Sequence, residues 1–300
     1  MAYADILLTG GGGQVGTEIR RLAPADWRIA APGRDTLDMS DPASIAAAVG
    51  SRRWSAIINT AAYTAVDKAE SDVVAAWKVN ALGPAALAAA AAQAAIPLVH
   101  LSTDYVFDGR KDGAYLESDP VGPMSVYGAS KEGGEQAVRT AHPRHVILRT
   151  AWVVSPHGGN FVKTMLRLAR ERPGVRVVDD QYGCPTSATD IALAVIIIAN
   201  RLMQDAEAPA GTYHFVNDGD ASWCAFATSI FAAAALQGWP SPMVEAISTA
   251  DYPTPARRPA NSRLSTGKLR ADFGVSPRPW RVAMEEVVAT LVAPPAETDR

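Results

Sequence analysis

The chain has 300 residues, 48% of them hydrophobic and 20% charged, with 28 Lys and Arg against 31 Asp and Glu for a formal net charge of -3. That length can bury a sizeable core, in one large domain or two smaller ones, and the balance is that of a soluble globular protein. An isoelectric point of about 6.0, with no Lys/Arg run, argues against a nucleic-acid partner, and the lack of an uninterrupted apolar stretch of ~18 residues argues against a membrane partner.

The opening MAYADILLTGGGG has no basic n-region, so it reads as a strand and not as a signal peptide. Strands are expected at Asp5–Thr9, Trp27–Ala31, Ser55–Thr60, Pro97–Thr103 and His145–Thr150. Helical patterns lie between them at Val15–Leu22, Pro42–Val49, Ser71–Ala95 and Val126–Ala141. Strands that are apolar throughout and alternate with helices predict an α/β, Rossmann-like, doubly wound parallel sheet.

The second half is less regular. GNFVKTMLRLARE reads as an amphipathic helix, VRVVDD as a strand, ATDIALAVIIIANRL as an apolar helix returning to the sheet, and GTYHFV as a further sheet strand. SWCAFATSIFAAAALQG is a helix with Ser222 as its N-cap. YPTPARRPANSRL reads as an ordered loop or edge, and the tail APPAETDR as a frayed end. The organisation expected is a dinucleotide-binding domain of residues 1–150 plus about 187–217, and a smaller discontinuous C-terminal substrate domain of about 151–186 plus 218–300. Cys184 and Cys224 lack a C-x-x-C partner and fit packing roles in a reduced, cytoplasmic protein. The five histidines show no metal-ligand spacing and are read as structural.

Ligands of such sheets bind at the carboxyl ends of the strands. After the first strand comes G-x-x-G-x-x-G at Gly10, Gly13 and Gly16, with Gln14 and Val15 opening a helix. Glycines admit a tight turn and close approach of a diphosphate, and the helix start offers free N–H groups. After the second strand, Arg34 and Asp35 argue for NADP and NAD respectively, with Asp38 and Met39 also at the adenosine end. The balance leans to NADPH, with NADH tolerated.

NTAAY after the third strand has small residues, Ala61 and Ala62, that let a cofactor pass close by, followed by Tyr63; simple strand-end packing is the other reading. Ser102, Thr103 and Asp104 end the fourth strand, where hydroxyls would meet a carbonyl or else cap the next turn. Tyr127 and Lys131 share a helix face. Alone they are an ordinary helical pair; in succession with the other three loops, a proton donor and its partner cation are expected.

This order resembles the extended short-chain dehydrogenase/reductase superfamily. GQVGTE, STDYVFDG, VYGASKEGGE, DDQYGCPTSATDIA and YPTPARRPANSRL resemble, more narrowly, the dTDP-4-dehydrorhamnose reductase family, over nearly the whole chain. The resemblance implies NAD(P)H-dependent reduction of the C4 ketone of dTDP-4-dehydro-β-L-rhamnose, the last step of dTDP-L-rhamnose biosynthesis, which feeds bacterial surface polysaccharides. It implies catalytic roles for Thr103, which polarises the carbonyl, Tyr127, the proton donor, and Lys131, which binds the ribose and lowers the phenol pKa. Asp104, Trp152 and Asn160 would face the sugar, and Arg257 and Asn261 the nucleotide; a solvated basic turn is the other reading of Arg257.

Some members share a magnesium ion between two subunits through glutamates. Glu18 matches one of these, but Thr189 falls where a second is expected and the C-terminal helix lacks a late glutamate. No required metal is therefore expected, in a monomer or homodimer. The competing readings are a nucleotide-sugar epimerase or dehydratase, although Asp104-Tyr105 gives an incomplete acidic pair, and a non-catalytic regulatory subunit of the same fold.

Overall fold

The fold was obtained as a computed structural model describing residues 3–293; the expected frayed tail lies beyond them, apart from Ala293. Strand β1 (Ala4–Thr9) runs into helix α1 (Gln14–Leu22), followed by β2 (Trp27–Ala30), α2 (Pro42–Gly50) and β3 (Ala56–Asn59). Two short helices, α3 (Val66–Ala69) and α4 (Val73–Trp77), precede α5 (Gly83–Gln93) and β4 (Leu98–Thr103). Helix α6 (Val126–Ala141) and β5 (His145–Thr150) follow. The remainder comprises β6 (Val153–Val154), α7 (Phe161–Glu171), β7 (Gly174–Val178), β8 (Tyr182–Gly183), β9 (Thr186–Ser187), α8 (Ala188–Gln204) and β10 (Gly211–His214). The C-terminal part is β11 (Ala221–Ser222), α9 (Trp223–Ala235), β12 (Met243–Ile247), β13 (Asn261–Ser262), α10 (Gly267–Phe273) and α11 (Trp280–Val292).

Six strands form one sheet in the order β10-β5-β4-β3-β1-β2, with every pairing parallel. Ile57 and Ile58 of β3 and Leu7 and Leu8 of β1 are all but inaccessible, because helices cover both faces. One face packs on α8 through Ile191, Val195 and Ile198, the other on α2 and α5 through Ile45, Leu87 and Ala91. The strand order reverses between β1 and β3, where a crevice must open at the carboxyl edge. A separate core joins α7, α9 and α11 through Val162, Phe226, Ile230, Met284 and Val288. Ser222 caps α9 as expected, its hydroxyl accepting from the Ala225 N–H at 3.0 Å.

The expected single helix Ser71–Ala95 is broken. Residues 78–82 form a π-helical turn between α4 and α5, a bulge of the kind found beside functional sites. It carries Asn80, fully buried. The Asn80 side chain accepts from the Tyr63 N–H at 2.8 Å, and donates to the Tyr63 carbonyl at 3.1 Å and the Ser130 hydroxyl at 3.0 Å. The loop after β3 is thereby pinned to α6. By length and composition Val73–Gln93 would pass for a membrane span, contrary to the sequence expectation; in the fold this run packs between α2 and α6.

Beneath the crevice lies a buried carboxylate, Glu135 of α6. It accepts from Ser102 Oγ at 2.5 Å, from Arg149 Nε and Nη2 at 2.8 and 2.7 Å, and from Arg139 at 2.9 Å. Burial pushes this carboxyl up, but Arg149, Ser102 and Arg139 outweigh it and hold its pKa below the ordinary value. The stability gained is present above the unfolded carboxyl value of ~4.3 and is lost as pH falls through the lower folded one. Glu135→Gln strands Arg149 in the core, and should cost about 3–5 kcal/mol near neutral pH, measured by urea unfolding; a loss below about 1 kcal/mol would remove Glu135 from this role.

Candidate functional site

Gly10 has φ +72°, and a Cβ there would lie 2.6 Å from the Ala61 nitrogen, so this turn requires glycine. The Gly13 N–H closes the turn on the Gly10 carbonyl at 2.9 Å. Helix α1 starts at Gln14 with no side-chain cap, leaving its first N–H groups facing a cleft of about 830 Å³. An uncapped helix start behind a glycine turn fits a dinucleotide diphosphate.

The cleft gathers most of the residues expected from sequence. Its walls hold Gly10, Gly13, Gln14, Val15 and Gly16, then Arg34, Asp38 and Met39, then Ala61 and Ala62. Thr103, Asp104, Tyr127, Lys131, Trp152 and Asn160 complete it. On the wall after β2 the Asp38 carboxylate is occupied by Ser40, from its N–H and its hydroxyl, both at 2.8 Å. Ser40 and then Arg34 hold its pKa below the ordinary value. Arg34 is exposed on the same wall, while Asp35 is not part of the wall and stands against Gly33.

Three expected residues are not on that wall. Tyr63 is turned away, its hydroxyl donating to Asp72 at 3.1 Å and its backbone held by Asn80. Asn261 is buried and its amide bridges the Lys111 and Gly113 carbonyls, each at 2.7 Å, so its donors are used inside the fold. Arg257 is exposed. Its neighbour Arg258 is the arginine turned inward, gripping Asp67 of α3 at 2.8 and 3.1 Å; Arg258 first, with the Ala256 N–H, keeps Asp67 below its usual range.

At the chemical end, β4 and β5 pair so that Thr103 faces Thr150. Ser125 N-caps α6, accepting from the Gly128 N–H at 3.2 Å, which sets Tyr127 and Lys131 on the buried face. Burial lifts the Tyr127 phenol to about 12; the Thr103 hydroxyl beside it opposes the rise and the Asp104 charge adds to it. Burial also pulls Lys131 down to about 8, against the pull of Glu135. The Lys131 ammonium donates to the Leu101 carbonyl at 2.7 Å. Desolvation governs the phenol here, and Lys131 is not among the groups that shift it.

Thr103 lies in the same buried group. Its single proton is directed to Asp104 Oδ1 at 2.9 Å, so while that bond stands the hydroxyl is an acceptor toward the cleft. Asp104 itself is buried and pushed up to about 6 by desolvation, with the Ser262 and Thr103 hydroxyls opposing. Asp104 Oδ2 and Thr150 Oγ1 are buried without a hydrogen-bond partner, and both residues line the cleft. Such atoms call for a polar ligand.

Trp152 sits at φ +48°, a strained conformation for a bulky residue. Its ring stacks on Trp223 at 3.4 Å between centroids, and Gly183 permits this, since a Cβ there would lie 2.4 Å from the indole. Trp152 thereby lines the cleft with its ring held between Trp223 and Gly183. Asn160 caps α7, accepting from the Lys163 N–H at 3.1 Å.

Glu18, the candidate metal ligand, is fully engaged. It accepts from Arg21 at 2.6 and 2.9 Å, from Thr189 at 3.2 Å, and pairs with His157 at 2.8 Å. Burial raises this carboxyl, but Arg21, His157 and Thr189 together hold it below the ordinary value. Hydroxyl and guanidinium partners do not make a divalent-cation shell, and no group of three His, Cys, Asp or Glu is assembled for a metal among the described residues. Of the other histidines, His100 accepts from Asn59 at 2.9 Å, His142 bonds the Ile96 carbonyl, His145 the His142 carbonyl, and His214 lies against Arg149. Cys184, inside a small apolar cluster, has its thiol pushed up to about 12 by burial.

Residues 4–293 match the family model described as the RmlD substrate binding domain. A dTDP-4-dehydrorhamnose reductase of Sinorhizobium fredii is 46% identical over 288 residues, covering 96% of this chain and 97% of that protein. The crystal structure of the Bacillus anthracis dTDP-4-dehydrorhamnose reductase in complex with NADP superposes with a TM-score of 0.89 at 34% identity, over 96% of this chain and 99% of that one. A dTDP-4-dehydrorhamnose reductase from Clostridium acetobutylicum gives a TM-score of 0.90 at 36% identity, over 96% and 100% of the two chains. With these chains matching end to end, and with the glycine turn, Tyr127 and Lys131 on one cleft, the protein belongs to the RmlD substrate binding domain family, that of the dTDP-4-dehydrorhamnose reductases.

Proposed function

We propose that the chain reduces the C4 ketone of dTDP-4-dehydro-β-L-rhamnose to dTDP-L-rhamnose with NADPH, NADH also being accepted, as the last step of dTDP-rhamnose biosynthesis. The observation that carries this reading is the cleft in which Thr103, Tyr127 and Lys131 meet the uncapped start of α1. The NADP complex of the Bacillus anthracis relative supports the cofactor, as does Arg34 exposed on the adenosine wall. The reading takes residues 1–150 with about 187–217 as the dinucleotide-binding unit and the rest as the sugar-binding unit, in a cytoplasmic monomer or homodimer without a required metal.

When bound, NADPH supplies the hydride to C4. The residues of the chain handle the oxygen. Tyr127 Oη donates its proton to the oxygen as negative charge develops there, and a phenol near about 12 remains the stronger acid against an alkoxide whose parent alcohol resembles water, at ~15.7. Lys131 keeps two N–H donors beyond the Leu101 bond for the nicotinamide ribose. The two unpartnered oxygens, Asp104 Oδ2 and Thr150 Oγ1, meet sugar hydroxyls, with Trp152 on the same wall. Thr103 exchanges its bond to Asp104 for one donated to the C4 oxygen beside Tyr127, and so polarises the carbonyl.

Purified protein given dTDP-4-dehydrorhamnose should oxidise NADPH, and more slowly NADH, in step with dTDP-rhamnose formation; cofactor consumption without that product would reject the assignment. Tyr127→Phe should retain NADPH binding by fluorescence titration yet lose ~10²–10⁴ in turnover. Prior EDTA treatment should leave the rate unchanged, and a complete, magnesium-reversible loss would overturn the metal-free reading.

Asp104 has a stability signature. Its folded pKa of about 6 lies above the unfolded ~3.9, so the fold is favoured fully below ~4 and loses stability as pH rises through about 6, by up to about 3 kcal/mol. In urea unfolding, Asp104→Asn should remove that part of the decline between about pH 4 and about pH 7; parallel curves for the two proteins would refute it.

A further inference from the structure

Gln14 belongs to the cleft through its backbone, at the first position of α1. Its side chain does something else. Gln14 Oε1 accepts from Ser155 Oγ and from Asn160 Nδ2, both at 2.9 Å. One turn further along the same helix face, Glu18 Oε1 holds His157 Nε2 at 2.8 Å. The segment Ser155–Asn160 is thus anchored twice on the helix that follows the glycine turn.

The segment is also closed on itself. Asn160 Nδ2 donates to the Ser155 carbonyl at 2.7 Å, and the His157 N–H donates to Ser155 Oγ at 3.1 Å. A Cβ built at Gly158 would already touch Gln14 Cγ at 3.4 Å. Gly158, Gly159 and Asn160 line the cleft, and Asn160 begins α7, which belongs to the second core with Trp152 packed against it. One face of α1 therefore meets the diphosphate position through its N–H groups and the sugar wall through two side chains.

We propose that Gln14 and Glu18 are positioning residues that lock the Ser155–Asn160 loop onto the dinucleotide helix, so that cofactor and sugar nucleotide each tighten the binding of the other. Fixing the start of α1 fixes the Gln14 side chain, and with it Asn160 and the sugar wall; a ligand that orders either end lowers the cost of ordering the other. Such coupling is reciprocal by thermodynamic necessity. The inference also assigns Glu18 a role inside one chain, in place of a metal. It rests on the proposed identity of the two ligands.

The test uses NADPH and dTDP-L-rhamnose, a reduced pair that cannot react, titrated calorimetrically into the full-length protein. NADPH should lower the Kd for dTDP-rhamnose about fivefold or more, and dTDP-rhamnose should lower the Kd for NADPH by the same factor. In Ser155→Ala/His157→Ala both ratios should fall to near one while each ligand still binds alone. Ser155→Ala by itself, the milder change, should reduce the ratios part of the way. A ratio of one in the unaltered protein would overturn the proposal. So would variants that bind both ligands more weakly at an undiminished ratio, because the loop would then be only structural. Failure of the unaltered protein to bind either ligand would overturn the functional assignment itself.

Discussion

The buried Glu135 carboxylate is the constraint on which the site depends. Four hydrogen bonds converge on it from Ser102, Arg149 and Arg139. Ser102 immediately precedes Thr103 on β4, Arg149 lies three residues before Trp152, and Glu135 is one helical turn beyond Lys131 on α6. One charge group therefore fixes the relative height of two strand ends and the helix carrying the tyrosine and lysine. A buried ion pair is a poor source of net stability, since desolvation offsets most of the attraction. Its effect here is geometric: each partner is costly to leave alone, so the three elements have one low-energy arrangement.

Desolvation by the same packing tunes the chemistry. Tyr127 rises to about 12 and Lys131 falls to about 8, both because burial disfavours the charged form. The two values move apart, and near neutral pH the phenol keeps its proton while the amine keeps its charge. A phenol so placed is a donor that does not ionise ahead of the substrate. The orphaned oxygens of Asp104 and Thr150 belong to the same economy of burial: they are tolerable only where a ligand completes them.

Much of this was legible in the sequence, for a physical reason. Parallel strands covered on both faces are written as short apolar runs, and ligand-binding loops must follow them, so the glycine turn, Ala61–Ala62, Thr103–Asp104 and Tyr127–Lys131 could be placed by order alone. Local rules reached less far elsewhere. Arg257 and Arg258 are identical in type, and only packing against Asp67 turns the second inward. Asn261 carries donors that suit a nucleotide, but the Lys111 and Gly113 carbonyls take them. The π turn at Asn80 interrupts an Ala-rich run that intrinsic propensity would keep helical; the tertiary hydrogen bonds to Tyr63 and Ser130 decide it. The parts played by Glu135, Thr150, Ser155 and Ser262 come from contacts across long stretches of chain, which local spacing does not show.

Glu18 is held by partners within its own chain. A glutamate on α1 beside a second carboxylate would present concentrated negative charge, which suits a shared cation. Here the neighbour is Thr189, and Arg21 and His157 supply the positive side. The carboxylate is then satisfied within the subunit, and a cation would have to displace a guanidinium held at two points. The same exchange gives His157, and through it the Ser155–Asn160 loop, a fixed place on α1. The charge balance around this one side chain thus ties the loop to the helix that follows the glycine turn.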